Sequence, residues 1–245
     1  ERLPLSLAQQ RMWFLNRMEP ESPAYNIPVI LKLAGHLDIA ALEDALADVI
    51  GRHEVLRTIY PDDAGEPHQL VLDHVAAAVE IRYVPESAVE DAVGEFVRRG
   101  FDVTTRVPIR VGLLRIGEPG TAVGGPFLDQ AGEFLLILVV HHIAGDGQSM
   151  APLARDVMSA YAARLAGQEP AWEPLEVQYA DYALWQRRVL GEPDDPQSLM
   201  HAQLDYWRST LAEIPDVLDL PPPTVPRPAV ASLSGGHVPV EIDRP

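Results

Sequence analysis

The strongest constraint on the fold is an unbroken apolar run, Phe134 to Val140, that ends in two adjacent histidines, His141 and His142. A run of this length and composition indicates a buried strand. Asp146 and Gly147 follow after three further residues, and apolar residues then recur at helical spacing, at Met150, Leu153, Val157 and Tyr161. The pattern predicts two imidazoles where a buried strand meets a loop, a place where catalytic groups are commonly held.

The rest of the chain alternates irregularly between helical and strand patterns, which predicts an α/β sandwich of two layers with a mixed sheet. Ser6 and Asp38 are the predicted N-caps of two helices. The first helix, Leu5–Met18, has so wide an apolar face that we expect it to be buried on more than one side. Pro28 predicts an edge strand. The other predicted helices span 87–99, 177–190 and 198–212, and the predicted strands span 24–34, 55–60, 68–72, 79–84 and 109–116.

Two segments of the chain have the composition of connections. The glycine-rich residues 118–132 predict a loop or hairpin connection. From Ile214 onward prolines recur too often for a helix or a central strand, which indicates an extended linker. A new strand pattern follows at Gly235–Ile242. The chain starts at Glu1 without a methionine, and we expect it to be a piece of a longer polypeptide.

Charge and composition exclude several classes of function. The net charge is −17, which disfavours nucleic-acid binding because such a surface repels phosphate backbones. The chain has no cysteine, so disulfides, thiolate catalysis and cysteine-ligated zinc are excluded, and a reducing cytoplasm is the expected location. Every apolar run is too short to span a bilayer, and no signal sequence opens the chain.

Three interpretations of the histidine pair compete. A metal site is disfavoured because adjacent strand residues point to opposite faces, so His141 and His142 cannot easily bind one ion. Core histidines satisfied by hydrogen bonds are a second interpretation, and one of the two must face the packed side. Acid–base catalysis or substrate positioning by the other is the third, since the unperturbed pKa of histidine lies near neutrality.

Asp146 is expected to stabilise the turn rather than to relay protons. A carboxylate in a tight turn more often binds backbone amides or pairs with an arginine, and Arg57 and Arg11 are the candidate partners. Gly145 and Gly147 would allow a left-handed or closely approached backbone around it. The chain contains neither GxSxG nor a phosphate-cradling glycine loop, so direct transfer between two bound substrates is favoured over a covalent acyl-enzyme.

Four ordered motifs resemble those of condensation domains of non-ribosomal peptide synthetases. HHIAGDGQS, at His141–Ser149, resembles the HHxxxDG signature of that family. Ser6–Leu15 (SLAQQRMWFL) resembles its first core motif, and Arg52–Tyr60 (RHEVLRTIY) its second. Tyr179–Trp185 (YADYALW) resembles its fourth. The motifs cover most of the chain and occur in the family's order.

The resemblance implies a chloramphenicol acetyltransferase-like fold, with two similar lobes arranged in a V. Residues 1–213 would form the N-terminal lobe, residues 214–234 the inter-lobe linker, and residues 235–245 the first strand of the C-terminal lobe, the rest of which is missing. The site would lie in a tunnel between the lobes. Upstream and downstream carrier domains would deliver a donor acyl thioester and an acceptor aminoacyl thioester on 4'-phosphopantetheine, with no tightly bound cofactor.

The resemblance also implies roles for individual residues. His142 would face the tunnel and either accept the proton of the attacking amine or orient it. His141 would be structural, and Asp146 would hold the loop by an ion pair, preferably with Arg57. Gly147 would give close backbone approach to the substrates. Gln148, where many relatives have an aromatic residue, and Ser149 would line the tunnel.

Three subtypes of the family remain to be separated. Heterocyclising relatives replace the histidines with aspartates, so that subtype is disfavoured. Epimerising relatives keep the histidines and are the enzymatic alternative, although the first motif is more typical of condensing domains. A recruitment-type relative, which keeps the fold without the chemistry, is the alternative that only binds a partner; such relatives usually lose part of the histidine motif.

Overall fold

The computed structural model describes residues 2–117, 131–215 and Val240. Within them the α-helices are α1 (Leu7–Met18), α2 (Ile39–Arg52), α3 (Val89–Arg98), α4 (Gly147–Leu165), α5 (Tyr179–Leu190) and α6 (Leu199–Thr210). The strands are β1 (Leu3–Pro4), β2 (Asn26–Gly35), β3 (Thr58–Ile59), β4 (Asp62–Asp63), β5 (Glu66–Val71), β6 (Val79–Val84), β7 (Ile109–Ile116) and β8 (Gly132–His141). Short 3₁₀ helices span Glu54–Arg57 and Glu86–Ala88. No helix in these ranges is long and apolar enough to cross a membrane.

The main sheet has the strand order β2-β8-β7-β6. β8 pairs antiparallel with both neighbours, whereas β6 runs parallel to β7. The predicted α/β fold with a mixed sheet is therefore confirmed. Helices pack on both faces of this sheet: α2 and α4 on one face, and α1 and α3 on the other. Pro28 lies in β2 at the sheet edge, where its missing N–H costs no ladder bond.

The central strand β8 supplies the core on both faces of the sheet. Leu138 and Val140 pack in one cluster with residues of α2 and α4. Ile137 and Val139, which alternate with them, pack in a second cluster with residues of α1 and α3. The predicted buried strand is thus confirmed, and its pleat sends successive side chains to opposite faces.

The prediction that α1 is buried on several sides through a wide apolar face is wrong. Its N-cap is Ser6, as predicted, and a capping box with Gln9 completes the first turn. The buried positions, however, include Gln9 and Asn16, whereas Phe14 is 59% exposed. The polar pair is buried because partners satisfy it: the Gln9 amide donates to the hydroxyl of Tyr60 (3.2 Å), and the Asn16 amide donates to a backbone carbonyl.

The predicted strand at 55–60 is wrong in its first half. Residues Glu54–Arg57 form a 3₁₀ helix, and only Thr58–Ile59 continue as β3. The Thr58 hydroxyl donates to the carbonyl of Glu54 (2.7 Å), which stabilises the turn against extension. The predicted hairpin is confirmed, since β3 pairs antiparallel with β5 in a second, smaller sheet that also contains β1 and β4.

The chain divides into two compact units, Glu1–Gly191 and Glu192–Pro245. The first holds both sheets and α1 to α5. In the second, α6 has the N-cap Ser198, whose hydroxyl accepts from the amide of His201 (3.0 Å). The predicted connection at 118–132, the linker at 214–234 and the strand at 235–245 lie almost wholly outside the described residues. The division into lobe, linker and next strand therefore stays a prediction.

Candidate active site

The turn between β8 and α4 positions the histidine motif. β8 ends at His141, and the His142 amide donates to the carbonyl of Tyr25 (2.8 Å), which fixes the chain as it leaves the sheet. The amide of Ala144 then donates to the carbonyl of His141 (2.9 Å), and α4 begins at Gly147. Backbone hydrogen bonds therefore fix the chain at His142 itself and in the turn that follows it.

His141 belongs to the core. It is 1% exposed, and its ring lies edge-on to that of Phe101, with 5.9 Å between the ring centroids. The amide of Ile143 donates to Nδ1 (3.1 Å), so the neutral ring carries its proton on Nε2. Burial, with a smaller contribution from the neighbouring His142, lowers the pKa of His141 to about 4. This imidazole is neutral near pH 7 and is held away from solvent.

His142, in contrast, is exposed and lines a cavity of about 400 Å³. The separation of the two imidazoles predicted from strand alternation is therefore observed. The other lining residues come from α1, from the residue before β2, from the motif turn with the first turn of α4, and from the start of α5: Ala8, Gln9, Arg11, Met12, Tyr25, Ile143, Ala144, Gly145, Asp146, Ser149 and Tyr179.

Asp146 serves as the N-cap of α4. Its Oδ1 accepts from the amide (3.0 Å) and from the hydroxyl (2.8 Å) of Ser149, and its own amide donates back to that hydroxyl (3.1 Å). The hydrogen bonds from Ser149 lower the pKa of Asp146, with smaller contributions from the Gln148 amide and from His142. The carboxylate is thus used to begin a helix and to hold the loop beside His142.

The predicted ion pair between Arg57 and Asp146 is wrong. The guanidinium of Arg57 donates to the carbonyl of Leu72 and to the carboxylate of Glu54 (3.2 Å), so it is held within the β3–β5 hairpin and its 3₁₀ turn. Arg11 was the other candidate partner of Asp146. It is exposed, and none of the ion pairs between described residues includes it. Arg11 does line the His142 cavity.

The glycines of the motif do not adopt the expected left-handed backbone. Neither Gly145 nor Gly147 has a positive φ. A Cβ on Gly145 would lie 3.3 Å from atoms of Ser149 and Met150, so close packing within the turn explains the absence of a side chain there. A Cβ on Gly147 would meet open space, so close approach of a substrate at Gly147 stays a prediction. Gln148 is exposed beside it.

Three cavity residues with polar side chains, Gln9, Tyr25 and Tyr179, were not predicted as site residues from the sequence. Gln9 and Tyr179 lie in the first and fourth motifs, so their motifs were the available signal, whereas Tyr25 lies between motifs and gave none. In the described part of the chain, no group of three or more His, Asp or Glu residues is placed to hold a metal ion. The cavity therefore presents one exposed imidazole, an exposed arginine and mixed polar and apolar walls.

Asp146→Ala is expected to lower stability by about 1 kcal/mol, because the first turn of α4 loses its side-chain acceptor. Thermal or urea unfolding of the variant against the wild-type chain measures this loss. Asp146→Asn is the matched control, since its amide oxygen can still accept from Ser149. An Asp146→Ala protein with unchanged stability but no activity would instead assign the carboxylate a direct part in the chemistry.

Comparison with known proteins gives consistent matches. The sequence model described as "Condensation domain" matches residues 1–244. The chain is 45% identical over 243 residues to a probable non-canonical nonribosomal peptide synthetase, CymA, of Salinispora arenicola (strain CNS-205). It is 44% identical over 245 residues to a dimodular nonribosomal peptide synthase of Bacillus subtilis (strain 168). These alignments cover 99% of this chain but only 3% and 10% of the two relatives.

Among solved structures, the chain is similar to the complex of the X-domain and OxyB from teicoplanin biosynthesis. The TM-score is 0.80 and the sequence identity is 37%. The match covers 94% of this chain and 47% of that chain, so this sequence spans about half the length of a structure with the same fold.

Proposed function

Because this chain belongs to the condensation-domain family of non-ribosomal peptide synthetases, we propose that it is the N-terminal lobe of a domain that joins two carrier-bound thioesters. Condensation domains are acyltransferases that form amide bonds. The observation that carries the proposal is the exposed imidazole of His142 on the 400 Å³ cavity, with its neighbour His141 fixed in the core.

The reaction assigned to the site is aminolysis of a thioester. The acceptor amine attacks the donor carbonyl, a C–N bond forms, the C–S bond breaks, and the donor's phosphopantetheine thiol is released. The amine loses one proton, which the departing thiolate takes up. His142 either accepts that proton in transit or orients the amine by a hydrogen bond.

Both substrates arrive tethered to carrier domains, one upstream and one downstream. The half-length coverage of the solved structure supports a second lobe that completes the site, joined through residues 214–234 and beginning at residues 235–245. On this proposal the N-terminal lobe supplies His142 and one wall of the tunnel. Arg11, Gln148 and Ser149 lie on that wall or beside it.

Two alternative functions within the family, recruitment of a partner enzyme and epimerisation, would give different products in an assay. The likeness to an X-domain solved with OxyB favours a recruitment role, in which the lobe binds a partner enzyme without chemistry. The intact histidine pair supports catalysis instead. An epimerising domain would also keep both histidines, and it would exchange the donor α-hydrogen without forming an amide.

The deciding experiment uses the domain extended through its second lobe, with two carrier domains loaded with different aminoacyl groups. Mass spectrometry of the carriers detects the dipeptidyl thioester, and deuterium uptake at the donor α-carbon is followed in the same reaction. Amide formation supports condensation. Deuterium uptake without amide would assign epimerisation, and neither product would leave recruitment as the function.

The chain of 245 residues alone is expected to be inactive in that assay. With only one wall of the tunnel present, His142 faces solvent, and nothing holds the two thioesters in a reactive geometry. Product formation should match the uncatalysed reaction of the two loaded carriers. The two-lobed domain at the same concentration is the positive control, and condensation by the chain alone would contradict the two-lobe proposal.

A further inference from the structure

A second cavity, of about 300 Å³, adjoins the one that contains His142. Three residues line both: Ala144 and Ser149 from the histidine-motif turn, and Tyr179 at the start of α5. The other lining residues are His53, Val55, Leu56, Val140, Met150, Pro152 and Leu153. The two cavities are therefore neighbours that share part of their walls.

The walls of the second cavity are apolar and anchored in the core. Leu56, Val140 and Leu153 are buried members of the cluster on the α2–α4 face of the sheet. Val55 and Met150 are half-buried and pack against the same cluster. An apolar group bound in such a pocket is removed from water, and the burial of its apolar surface stabilises the complex.

The polar side chains that line this cavity already have partners. His53 Nε2 lies 2.7 Å from a carboxylate oxygen of Asp156, and the Ser149 hydroxyl donates to Asp146. The Tyr179 hydroxyl lies 3.0 Å from the hydroxyl of Ser6. A charged or strongly polar occupant would have to compete for these groups, so the cavity selects for apolar groups.

Tyr179 is held firmly at the boundary between the cavities. Besides its own hydrogen bond to Ser6, the helix it begins is tied to the start of the chain. The Gln186 side chain accepts from the amide of Leu7 (2.9 Å), and the Arg187 side chain donates to the carbonyl of Leu5 (2.9 Å). The ring of Tyr179 is thus a fixed wall of both cavities.

From this geometry we infer that the second cavity is a side-chain pocket of the reaction site. It binds the apolar side chain of one of the two carrier-bound aminoacyl groups while the reacting centre lies beside His142. The inference rests on the proposed condensation function and adds its substrate class. Val55 lines the pocket from the 3₁₀ helix Glu54–Arg57 and is half-buried, so a larger side chain at this position would reduce the room for an occupant.

The test compares Val55→Phe, Val55→Ala and wild type in the two-lobed domain with loaded carriers. One series varies the donor (glycyl, alanyl, leucyl, phenylalanyl) against a glycyl acceptor, and the other varies the acceptor against a glycyl donor. We expect Val55→Phe to lower kcat/KM for leucyl and phenylalanyl groups by about 10-fold or more in one series, with glycyl unchanged within about 3-fold. The series that responds identifies the bound substrate. Val55→Ala should shift preference towards phenylalanyl.

Val189→Phe makes the same substitution on an exposed position of α5 and should leave the preference unchanged. Melting temperatures of all variants separate misfolding from altered selectivity. A uniform fall across all side chains in both series, or no change in preference in either, would overturn the pocket, because neither result depends on the size of the substrate side chain. If wild type forms amides normally, that result leaves the proposed function intact. Absence of amide from wild type with every pair would overturn the proposed function and this inference together.

Discussion

Replacing His142 by alanine in the two-lobed domain is expected to lower the rate of amide formation by at least about 100-fold, the usual contribution of a positioned acid–base group. Fold stability should hardly change, because the His142 side chain is exposed and the backbone bond to Tyr25 does not depend on it. Single-turnover formation of the dipeptidyl thioester measures the effect. His36→Ala is the matched control, since His36 is also exposed but does not line the cavity.

The variant His142→Gln distinguishes the two roles of His142. A glutamine carbonyl can still accept a hydrogen bond from the amine but cannot take up its proton, so activity well above that of His142→Ala indicates an orienting role, and activity equal to it indicates proton acceptance. Unaltered dipeptide yield in His142→Ala would remove this residue from the mechanism altogether. The single-lobe chain provides the stability measurement, because its unfolding reports the effect of the substitution on the lobe that carries it.

Acid is expected to destabilise this lobe through His141. The pKa of His141 is about 4 in the folded state and about 6.5 in the unfolded chain, because burial disfavours the imidazolium. Above pH 6.5 both states are neutral and the full stability is present. Between pH 6.5 and 4 the unfolded state binds the proton first, so stability falls with pH, by about 3 kcal/mol in total from this group.

The hydrogen bond to Ile143 gives this effect a structural cause. Protonation would place a hydrogen on Nδ1, where the ring now accepts the Ile143 amide at 3.1 Å, so two donors would face each other. Urea unfolding at pH 7 and at pH 4.5 measures the change. His141→Asn keeps a side-chain acceptor and cannot titrate, so subtracting its pH dependence removes the contribution of the carboxylates. Equal pH dependence in both proteins would contradict this assignment.

Local patterns were sufficient for the elements that position the site. The sequence predicts β6 at Val79–Val84 and β7 at Ile109–Ile116, and the structure has the same bounds. Short segments rich in apolar residues leave little choice of where a strand begins and ends. The division between His141 and His142 followed from strand pleating alone. The N-caps Ser6 and Asp38 were predicted because a short polar side chain before an apolar periodic segment satisfies the free amides of a first turn.

Contacts distant in sequence were not predictable in the same way. One partner of Arg57 is the carbonyl of Leu72, which the chain brings close only once the β3–β5 hairpin has formed. Gln9 is buried because its amide reaches Tyr60 and Gln69, some 50 and 60 positions away in the sequence. Helical periodicity identifies a buried face from apolar residues alone and contains no information on such polar contacts. The buried face predicted for α1 was therefore wrong.

The position of His142 at the end of β8 has a consequence for motion. β8 is paired along its length on both sides and its side chains fill both cores, so its backbone opens only when the whole unit unfolds. The backbone that carries His142 is therefore anchored to the most stable part of this unit, although its exposed side chain can still change rotamer. The attachment point of the imidazole is fixed relative to the core, so it is the tethered substrates that must move to reach it.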